Sequence, residues 1–445
     1  MTRAFSFVPP KNPQPLGQML DVQAARDPQR PALTCGSTTL TRGELALRAR
    51  ARALALQKLG VQEGDFVALA LPNGTAVLEL AFGCWMLGAT PTPLSHRLPA
   101  LELQAMIDVL QPRIAVVDER SVFDDANANS PLPARISPHV KAIASGGSTG
   151  RPKIIVDHTR AVLDPDAPSV GMRATDTVII PGPMYHSAPF GLAYQALGWG
   201  CHVVIMPRFD AAETLRLVAA HRAQWLYQVP TMMHRIWRLD SARADYDVSS
   251  LELVCHIAAA CPAWLKEKWI EWLGPDRVWE VYSGTEALGA TVIGGRDWLE
   301  HRGSVGRLAP GASVRILDEA GDDVTPGEIG EIYFRPAGGR GSPSSTSTPS
   351  STKRMRTRRC RRGSHRTSRR LQAAAAPDVR RSSSITRERC SIPMRRRSAC
   401  ARPTPWSFPV RCITPRHSAS PTIRRTNSCP DRRHPIRSLW GLRPP

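Results

Sequence analysis

The chain changes composition sharply near residue 340, and this change limits the part that can fold. Residues 341–445 hold 26 Lys and Arg against 3 Asp and Glu, and they contain no Tyr and a single Phe. A segment rich in Arg, Ser, Thr and Pro buries too little apolar surface to offset its chain entropy, so we expect disorder there. Residues 1–340 hold 33 basic and 35 acidic residues. The net charge of +21 therefore says nothing about what the first 340 residues bind.

Short apolar runs alternate with stretches of helical spacing through the first 300 residues. A capping-box pattern at Thr41 and Glu44, for example, precedes apolar residues that recur at helical spacing until Gly60. The apolar runs that indicate buried strands are FVALAL, RIAVVD, TVIIPGP, HVVIMP, WLYQVP and LELVCHIAAA. Strands that alternate with helices predict an α/β fold with parallel sheets covered on both faces.

The pattern changes again after Ser304. The stretch SVRILDEAGDDVTPGEIGEIYFRP alternates and turns like antiparallel hairpins, which predicts a small antiparallel β-subdomain at about 304–338. We therefore predict an N-terminal extension over 1–14, a large domain over 15–338 and a disordered basic tail over 341–445. Within the large domain we expect two parallel-sheet αβ subdomains in addition to the β-subdomain.

The cysteines and the N-terminus limit the class of protein further. The five cysteines of the first 340 residues are scattered without a C-x-x-C pair, so neither a zinc site nor a disulfide framework is indicated. The opening stretch MTRAFSFVPPKNPQP has no apolar core of the kind that a signal peptide carries. No run of 18 apolar residues occurs, so we expect a cytoplasmic protein with reduced thiols and no membrane span.

The stretch from Ser145 to Lys153, SGGSTGRPK, concentrates backbone freedom, hydroxyl groups and positive charge. Glycine lets backbone N–H groups converge on an anion, and the hydroxyls of Ser148 and Thr149 add donors. The stretch departs from the P-loop pattern because Lys153 neither follows the last glycine directly nor precedes Ser or Thr. Taken alone, it is more typical of a polar hairpin between two strands, so a phosphate-binding interpretation depends on other motifs.

Those other motifs resemble the acyl-adenylate-forming (AMP-binding) superfamily of acyl-CoA synthetases, peptide-synthetase adenylation domains and luciferases. SGGSTGRPK is similar to its phosphate loop, PMYHSAPF to its acyl-pocket segment and VYSGTE to its signature. IAAACP stands where the superfamily has a small-residue strand end beside adenine, and GSVGRLAPG and GEIGEIYFRP are similar to its closing segments. The motifs follow the expected order over about residues 15–338, and they look most like a fatty-acid–CoA ligase.

The resemblance implies a role for individual residues. It implies that Lys153, Thr285 and Glu286 are catalytic, with Thr285 at the α-phosphate and Glu286 on Mg²⁺. His186 and Tyr185 would bind the acid, and Tyr282 would stack on adenine. The residues expected to bind ATP are Ser145, Gly146, Gly147, Ser148, Thr149, Gly150, Ala259, Ala260, Tyr282, Ser283 and Gly284. By residue type alone, Glu286 could be solvated, His186 a satisfied polar residue and Tyr282 part of the core.

The implied chemistry suits these residue types. A carboxylate attacks the α-phosphorus of ATP and expels pyrophosphate, so catalysis consists mainly of positioning and of neutralising phosphate charge. Donors on a glycine loop, Lys153 and a Mg²⁺ ion on Glu286 can supply both without an acid–base dyad. The implied ligands are therefore ATP, Mg²⁺, a small carboxylic acid and CoA.

In this superfamily a small C-terminal domain follows the β-subdomain. It carries a TGD-like motif and a GRxDxxIKxxG-like segment that hold the ribose, and a lysine that reaches the acyl and phosphate oxygens. Residues 341–445 contain neither motif and no lysine after Lys353. We interpret 341–445 as an out-of-frame translation of a GC-rich gene, which the other reading frames would test. The rival hypothesis is a basic extension that binds nucleic acid or an anionic membrane, but its few aromatics do not favour nucleic acid.

The sequence thus predicts an AMP-forming acid–CoA ligase that converts a carboxylic acid, ATP and CoA into an acyl-CoA. Two alternatives stay open. One is an adenylating enzyme that passes its acyl group to a carrier protein. The other is an inactive remnant that binds nucleotide or acyl-adenylate without turnover.

Overall fold

A computed structural model describes residues 3–123, 128–129, 132–144 and 153–336, together with the backbone of Ser145 and of 344–346. The helices of this part are α1 Met19–Arg26, α2 Arg42–Lys58, α3 Thr75–Met86, α4 Ala100–Leu110, α5 Ser187–Trp199, α6 Ala211–His221, α7 Pro230–Trp237, α8 Ala263–Leu273 and α9 Gly295–Glu300. Short 3₁₀ turns cover Leu16–Gln18, Glu119–Ser121 and Asp240–Asp245.

The strands of the first half are short and alternate with these helices. They are β1 Gln14–Pro15, β2 Pro31–Cys35, β3 Thr38–Thr41, β4 Phe66–Leu69, β5 Thr90–Pro93, β6 Ile114–Val116, β7 Lys141–Ser145, β8 Lys153–Asp157, β9 Val162–Leu163 and β10 Thr177–Ile180. The later strands are β11 His202–Ile205, β12 Trp225–Gln228, β13 Leu253–Ile257, β14 Val278–Ser283, β15 Ala290–Gly294, β16 Arg307–Leu308, β17 Ala312–Leu317, β18 Glu331–Pro336 and β19 Ser344–Thr346. Each of the six apolar runs predicted to be strands contains one.

A nine-stranded sheet forms the centre of the fold, in the order β16-β15-β14-β13-β12-β10-β11-β2-β3. Strands β14 to β2 in that order are parallel, whereas β15, β16 and β3 add antiparallel edges. Val178, Ile180 and Val203 face a core that includes α1, α3 and α5. Ile179 and Val204 face a second core built with α6, α7 and α8. Helices therefore cover both faces of the sheet, as predicted for parallel strands.

A second unit combines two three-stranded sheets. One is parallel, in the order β5-β4-β6, and the other is antiparallel, in the order β19-β8-β7. Ala68, Leu103, Ala142 and Ile154 share a third core between these sheets and α4. The predicted α/β fold with a small antiparallel part is confirmed. The large sheet also has antiparallel strands at its edges, and the small parallel sheet packs against the antiparallel sheet of β19, β8 and β7.

The β-subdomain is smaller than predicted. Strands β17 and β18 pair from Ala312 with Pro336 to Leu317 with Glu331 and form an antiparallel hairpin. Strand β16, which lies inside the predicted range 304–338, pairs instead with β15 of the large sheet. The hairpin therefore begins after β16.

The predicted N-terminal extension over 1–14 packs against the large domain. The buried Arg3 guanidinium donates two 2.7 Å hydrogen bonds to Asp176, and Phe5 stacks on Trp279 at 5.8 Å. Within the predicted tail over 341–445, the backbone of β19 pairs antiparallel with β8. The rest of that tail lies outside the described residues. Within the part of the chain described, no helix has the length and apolar character needed to cross a membrane.

Candidate active site

Several predicted motifs lie at one edge of the large sheet. Because β10, β12, β13 and β14 are parallel, their carboxyl ends meet at the same edge. The stretch PMYHSAPF follows β10, IAAACP spans the end of β13, and VYSGTE spans the end of β14. Ligands of open α/β sheets bind outside the carboxyl ends of the strands. The fold therefore places three of the four predicted binding motifs where a ligand site is expected.

The fourth motif connects β7 to β8. Ser145 and Lys153 are direct partners in this antiparallel pair, so the glycine-rich segment closes a hairpin. At the other end of the pair, Lys141 and Asp157 are also partners, and a buried 2.6 Å ion pair joins their side chains. Gly146, Gly147, Ser148, Thr149 and Gly150 lie outside the described residues. The pairing of β7 with β8 agrees with the hairpin interpretation, and the phosphate-loop interpretation stays a prediction.

The signature segment VYSGTE is held in place by the turn that follows it and by strand β18. The hydroxyl of Ser283 donates a 2.9 Å hydrogen bond to the carbonyl oxygen of Gly289. The Tyr282 ring, partly buried, lies 6.2 Å from the Phe334 ring of β18, and burial raises the pKa of the Tyr282 hydroxyl. Gly284 closes the following turn by accepting a hydrogen bond from the Ala287 backbone. The β-hairpin of β17 and β18 thereby supports the predicted adenine-stacking residue.

Thr285 and Glu286 lie in the turn after β14, and both are partly buried. Ala287, directly after them, has a φ of +53°, which is uncommon for a residue with a side chain. Among the described residues, no group of three or more His, Cys, Asp or Glu could hold a metal ion together.

Small residues follow β13, as the motif predicted. Ala258 has a φ of +82°, a sterically costly conformation that turns the chain at the end of the strand. The next residues, Ala259 and Ala260, are exposed. Their methyl side chains leave the backbone open to a planar ligand.

The predicted acid-binding residues stand at the start of α5. His186 is the N-cap residue of this helix, and its ring lies 4.6 Å from that of Tyr185. Although the His186 side chain reaches solvent, partial burial lowers its pKa. Neutral imidazole is therefore the main form near neutral pH.

Asn73, which the sequence did not single out, connects the loops at this edge. Its side-chain amide donates to the carbonyl oxygens of Gly182 and Met206 at 3.1 and 3.0 Å. Its side-chain oxygen accepts a 2.9 Å hydrogen bond from the Met184 backbone. One side chain thus fixes the segments that follow β10 and β11.

A cavity of about 550 Å³ opens beside Asn73 and Tyr185. Its polar lining includes three guanidinium groups and one carboxylate, on Arg97, Arg208, Arg235 and Asp210. No motif predicted this cavity, because its cations come from three distant segments. The cavity suits an anionic group that lies next to the predicted acyl pocket.

Comparison with known proteins defines the class. Residues 20–144 and 142–339 match the family model described as AMP-binding enzyme. The feruloyl-CoA synthase of Amycolatopsis sp is 30% identical over 353 residues, which covers 72% of this chain and 69% of the relative. The chain therefore belongs to the AMP-binding enzyme family, and the family predicted from the motifs is confirmed. The indoleacetate–CoA ligase of Aromatoleum aromaticum is 27% identical over 363 residues, covering 72% of this chain and 70% of the relative.

Solved structures show the same fold. The N-terminal domain of FACL13 from Mycobacterium tuberculosis matches with a TM-score of 0.62 and 24% identity, covering 73% of this chain and 89% of that one. The O-succinylbenzoate coenzyme A synthetase (MenE) of Bacillus subtilis in complex with AMP matches with a TM-score of 0.61 and 21% identity. That alignment covers 73% of this chain and 70% of the other.

Proposed function

We propose that the protein activates a carboxylic acid with ATP to an acyl-adenylate and then transfers the acyl group to CoA. The observation that carries this proposal is the meeting of the acyl-pocket, adenine and signature motifs at one edge of the sheet in a chain of the AMP-binding enzyme family. Membership of the AMP-binding enzyme family supports ATP as the nucleotide. The common position of the motifs supports a binding site at the carboxyl ends of β10, β13 and β14.

In the proposed first step, a carboxylate oxygen of the acid attacks the α-phosphorus of ATP and pyrophosphate leaves. Lys153, at the start of β8, would neutralise charge on the phosphates, and Thr285 would donate a hydrogen bond to the α-phosphate. Mg²⁺ held by Glu286 would lower the charge of the leaving pyrophosphate. Tyr282, supported by Phe334, offers an aromatic face to the adenine.

In the proposed second step, the thiol sulfur of CoA attacks the acyl carbon and AMP leaves. The cavity lined by Arg97, Arg208 and Arg235 supports CoA as acceptor, because CoA carries a diphosphate and a 3′-phosphate that guanidinium groups bind well. A carrier protein would present the same thiol on a phosphopantetheine arm without the 3′-phosphate nucleotide. The cavity therefore favours CoA over a carrier protein.

For the acid we propose a fatty or an aromatic carboxylic acid. The relatives named above are a feruloyl-CoA synthase and an indoleacetate–CoA ligase, and their names specify aromatic acids. The fatty-acid class rests on the resemblance of the motifs. The neutral His186 and the ring of Tyr185 would form the polar and aromatic wall of the acid site.

An inactive nucleotide-binding remnant is the second candidate. The family match ends at residue 339, and the tail beyond it contains a single lysine, at 353. A chain that lacks the lysine and ribose contacts of the small C-terminal domain would bind ATP or acyl-adenylate but turn over slowly.

One experiment separates the candidates. Pyrophosphate release from ATP and Mg²⁺ is measured with the purified chain and a panel of fatty and aromatic acids, and nucleotide binding is measured by calorimetry. Acid-dependent pyrophosphate release, followed by CoA-dependent AMP release, supports the ligase. Binding without release identifies the remnant, and the absence of both binding and release contradicts the proposal. A carrier protein that accepts the acyl group where CoA does not would contradict the choice of acceptor.

A further inference from the structure

A buried polar cluster lies directly behind the proposed adenine site. Gln228, His256 and Glu280 are neighbours in register on β12, β13 and β14, and Lys266 of α8 completes the cluster. The three strand residues follow Leu226, Val254 and Val278 by two positions, so they share the face of the sheet that carries the core with α8. Burial of an unpaired polar group costs free energy, so three adjacent polar residues on a core-facing surface indicate a specific role.

The central contact of the cluster is an ion pair. Lys266 is fully buried, and its ammonium donates a 2.6 Å hydrogen bond to Oε2 of Glu280, which is 8% exposed. The ammonium also lies 4.8 Å from the centre of the Trp298 ring of α9. The pair therefore ties β14 to α8 and α9, with the Lys266 ammonium fully buried and the Glu280 carboxylate nearly so.

His256 stands beside this ion pair with its hydrogen-bonding capacity unused. Its Nε2 lies 3.9 Å from the same Oε2 of Glu280, and neither of its ring nitrogens has a hydrogen-bond partner among the described residues. The side-chain amide of Gln228 is also without a partner there. Burial, and next the positive charge of Lys266, hold the pKa of His256 well below its usual value, so the ring is neutral.

The position of the cluster gives it a role. His256 lies two residues before Ala258, where the chain turns toward Ala259, and Glu280 lies two residues before Tyr282. A shift of either strand end would move the groups proposed to hold adenine, whereas the phosphate-binding loop belongs to a different sheet. The cluster can thus affect the adenine end of the nucleotide and, through Thr285, its α-phosphate, whereas Lys153 lies on a different sheet.

We propose that Lys266 is a positioning residue of the nucleotide site: it fixes the Glu280 carboxylate and with it the end of β14, and His256 is the neighbouring ring that could take its place when the ammonium is removed. This inference rests on the proposed function, since it requires a nucleotide at the ends of β13 and β14. It assigns no chemical step to the cluster.

The test compares two ligands on the full-length chain. AMP requires the groups at the ends of β13 and β14, whereas inorganic tripolyphosphate, offered without Mg²⁺, would bind mainly through the phosphate loop and Lys153. For Lys266→Met we expect AMP affinity to fall about tenfold, because the carboxylate of Glu280 loses its charged partner and moves. Tripolyphosphate affinity should stay within about twofold of wild type. The matched control is Lys268→Met, on the same helix, where the exposed Lys268–Glu271 pair contacts no part of the cluster.

The second readout is pH. Without Lys266, His256 faces the Glu280 carboxylate of β14 and the Gln228 amide of β12. The thiols of Cys255 and Cys261 are the further titratable groups that interact with Glu280. His256 should then accept a proton, so AMP affinity of Lys266→Met should recover as the pH falls from about 8 to about 5.5, while wild type changes little. Adding His256→Gln to Lys266→Met should abolish the recovery above about pH 6.

Several outcomes overturn the proposal. Unchanged AMP affinity in Lys266→Met, or an equal loss of AMP and tripolyphosphate affinity, would assign the ion pair to general stability. If Lys266→Met does not fold, Glu280→Gln, which keeps the shape of the side chain, must still weaken AMP selectively. Lys266→Arg should keep AMP affinity within about threefold of wild type, because it retains the charge. A wild-type chain that binds tripolyphosphate and AMP equally poorly would contradict both this inference and the proposed function.

Discussion

Ser145 and Lys153 face each other across the antiparallel pair of β7 and β8, so the segment between them begins and ends at one point of the sheet. The buried ion pair of Lys141 and Asp157 joins the same two strands four residues away on each side. The ends of the glycine-rich segment are therefore fixed by strand pairing, and its sequence contains three glycines, a residue type that permits backbone conformations other residues avoid. This combination suits a loop that must wrap around an anion.

The first prediction concerns Lys153. Lys153→Met should lower acid-dependent pyrophosphate release about 100-fold, because it removes a positive charge from the site where phosphate charge develops. Lys268→Met is the control, since its ion pair with Glu271 is exposed and lies on α8. Initial rates at saturating ATP measure the effect. Equal rates for both variants would remove Lys153 from the proposed mechanism.

Much of the fold could be predicted because its signals are local. Thr41 accepts a hydrogen bond from the Glu44 backbone, and the Glu44 side chain accepts one from the Thr41 backbone, as the capping-box pattern requires. The apolar runs indicate strands because parallel strands that are buried on both faces carry apolar residues on both faces. Helix starts and buried strands are encoded within a few residues, so a single sequence reveals them.

The features that sequence reasoning missed depend on residues far apart in the chain. Phe5 stacks on Trp279, a contact that no pattern near the N-terminus indicates. The cavity cations Arg97, Arg208 and Arg235 lie on separate segments, and each alone resembles a solvated surface arginine. The likeness of this chain to a known family predicts which motifs bind the nucleotide, but it does not predict these contacts.

The second prediction tests the N-terminal segment. Arg3 and Asp176 form a buried ion pair, so Arg3→Met leaves an unpaired buried carboxylate and should lower the free energy of unfolding by about 3 kcal/mol. Arg26→Met is the matched control, because the Arg26–Asp166 pair is exposed and should contribute below about 1 kcal/mol. Urea unfolding followed by tryptophan fluorescence measures both. Equal stability of the two variants would show that the Arg3–Asp176 ion pair does not stabilise the packing of the N-terminal segment on the large domain.

The third prediction uses two glycines of one turn. Gly306 has a φ of +84°, and a Cβ there would overlap the carbonyl oxygen of Val292 and lie 2.6 Å from Cβ of Ile293. Gly303 has a φ of +86° but nothing within 4 Å of such a Cβ. Gly306→Ala should therefore destabilise the fold by more than about 3 kcal/mol, and Gly303→Ala by about 1 kcal/mol. Thermal unfolding compares the two; a smaller effect at Gly306 would contradict the close approach of β15 to this turn.

The fourth prediction concerns pH and His202. Burial, followed by the positive charges of His221 and Arg30, lowers the pKa of His202 from 6.5 to about 4, and its Nε2 forms a 2.8 Å hydrogen bond with the Thr34 hydroxyl. In the unfolded chain the imidazole titrates near 6.5, so below that pH the unfolded state binds more protons than the folded state. The contribution of neutral His202 to stability is therefore fully present above about pH 6.5 and is lost as the pH falls toward 4.

The expected loss from this one group is about 2 kcal/mol between about pH 7 and about pH 4.5, on top of the losses from other titrating residues. His202→Gln keeps a hydrogen-bonding side chain but cannot titrate, so its stability should fall less steeply over this range. Urea unfolding at several pH values gives the two slopes. His221→Gln serves as a second comparison, since removing the neighbouring charge should raise the pKa of His202 toward its unfolded value, so the total loss should be smaller and should be complete at a higher pH. Parallel slopes for wild type and His202→Gln would contradict the lowered pKa of His202.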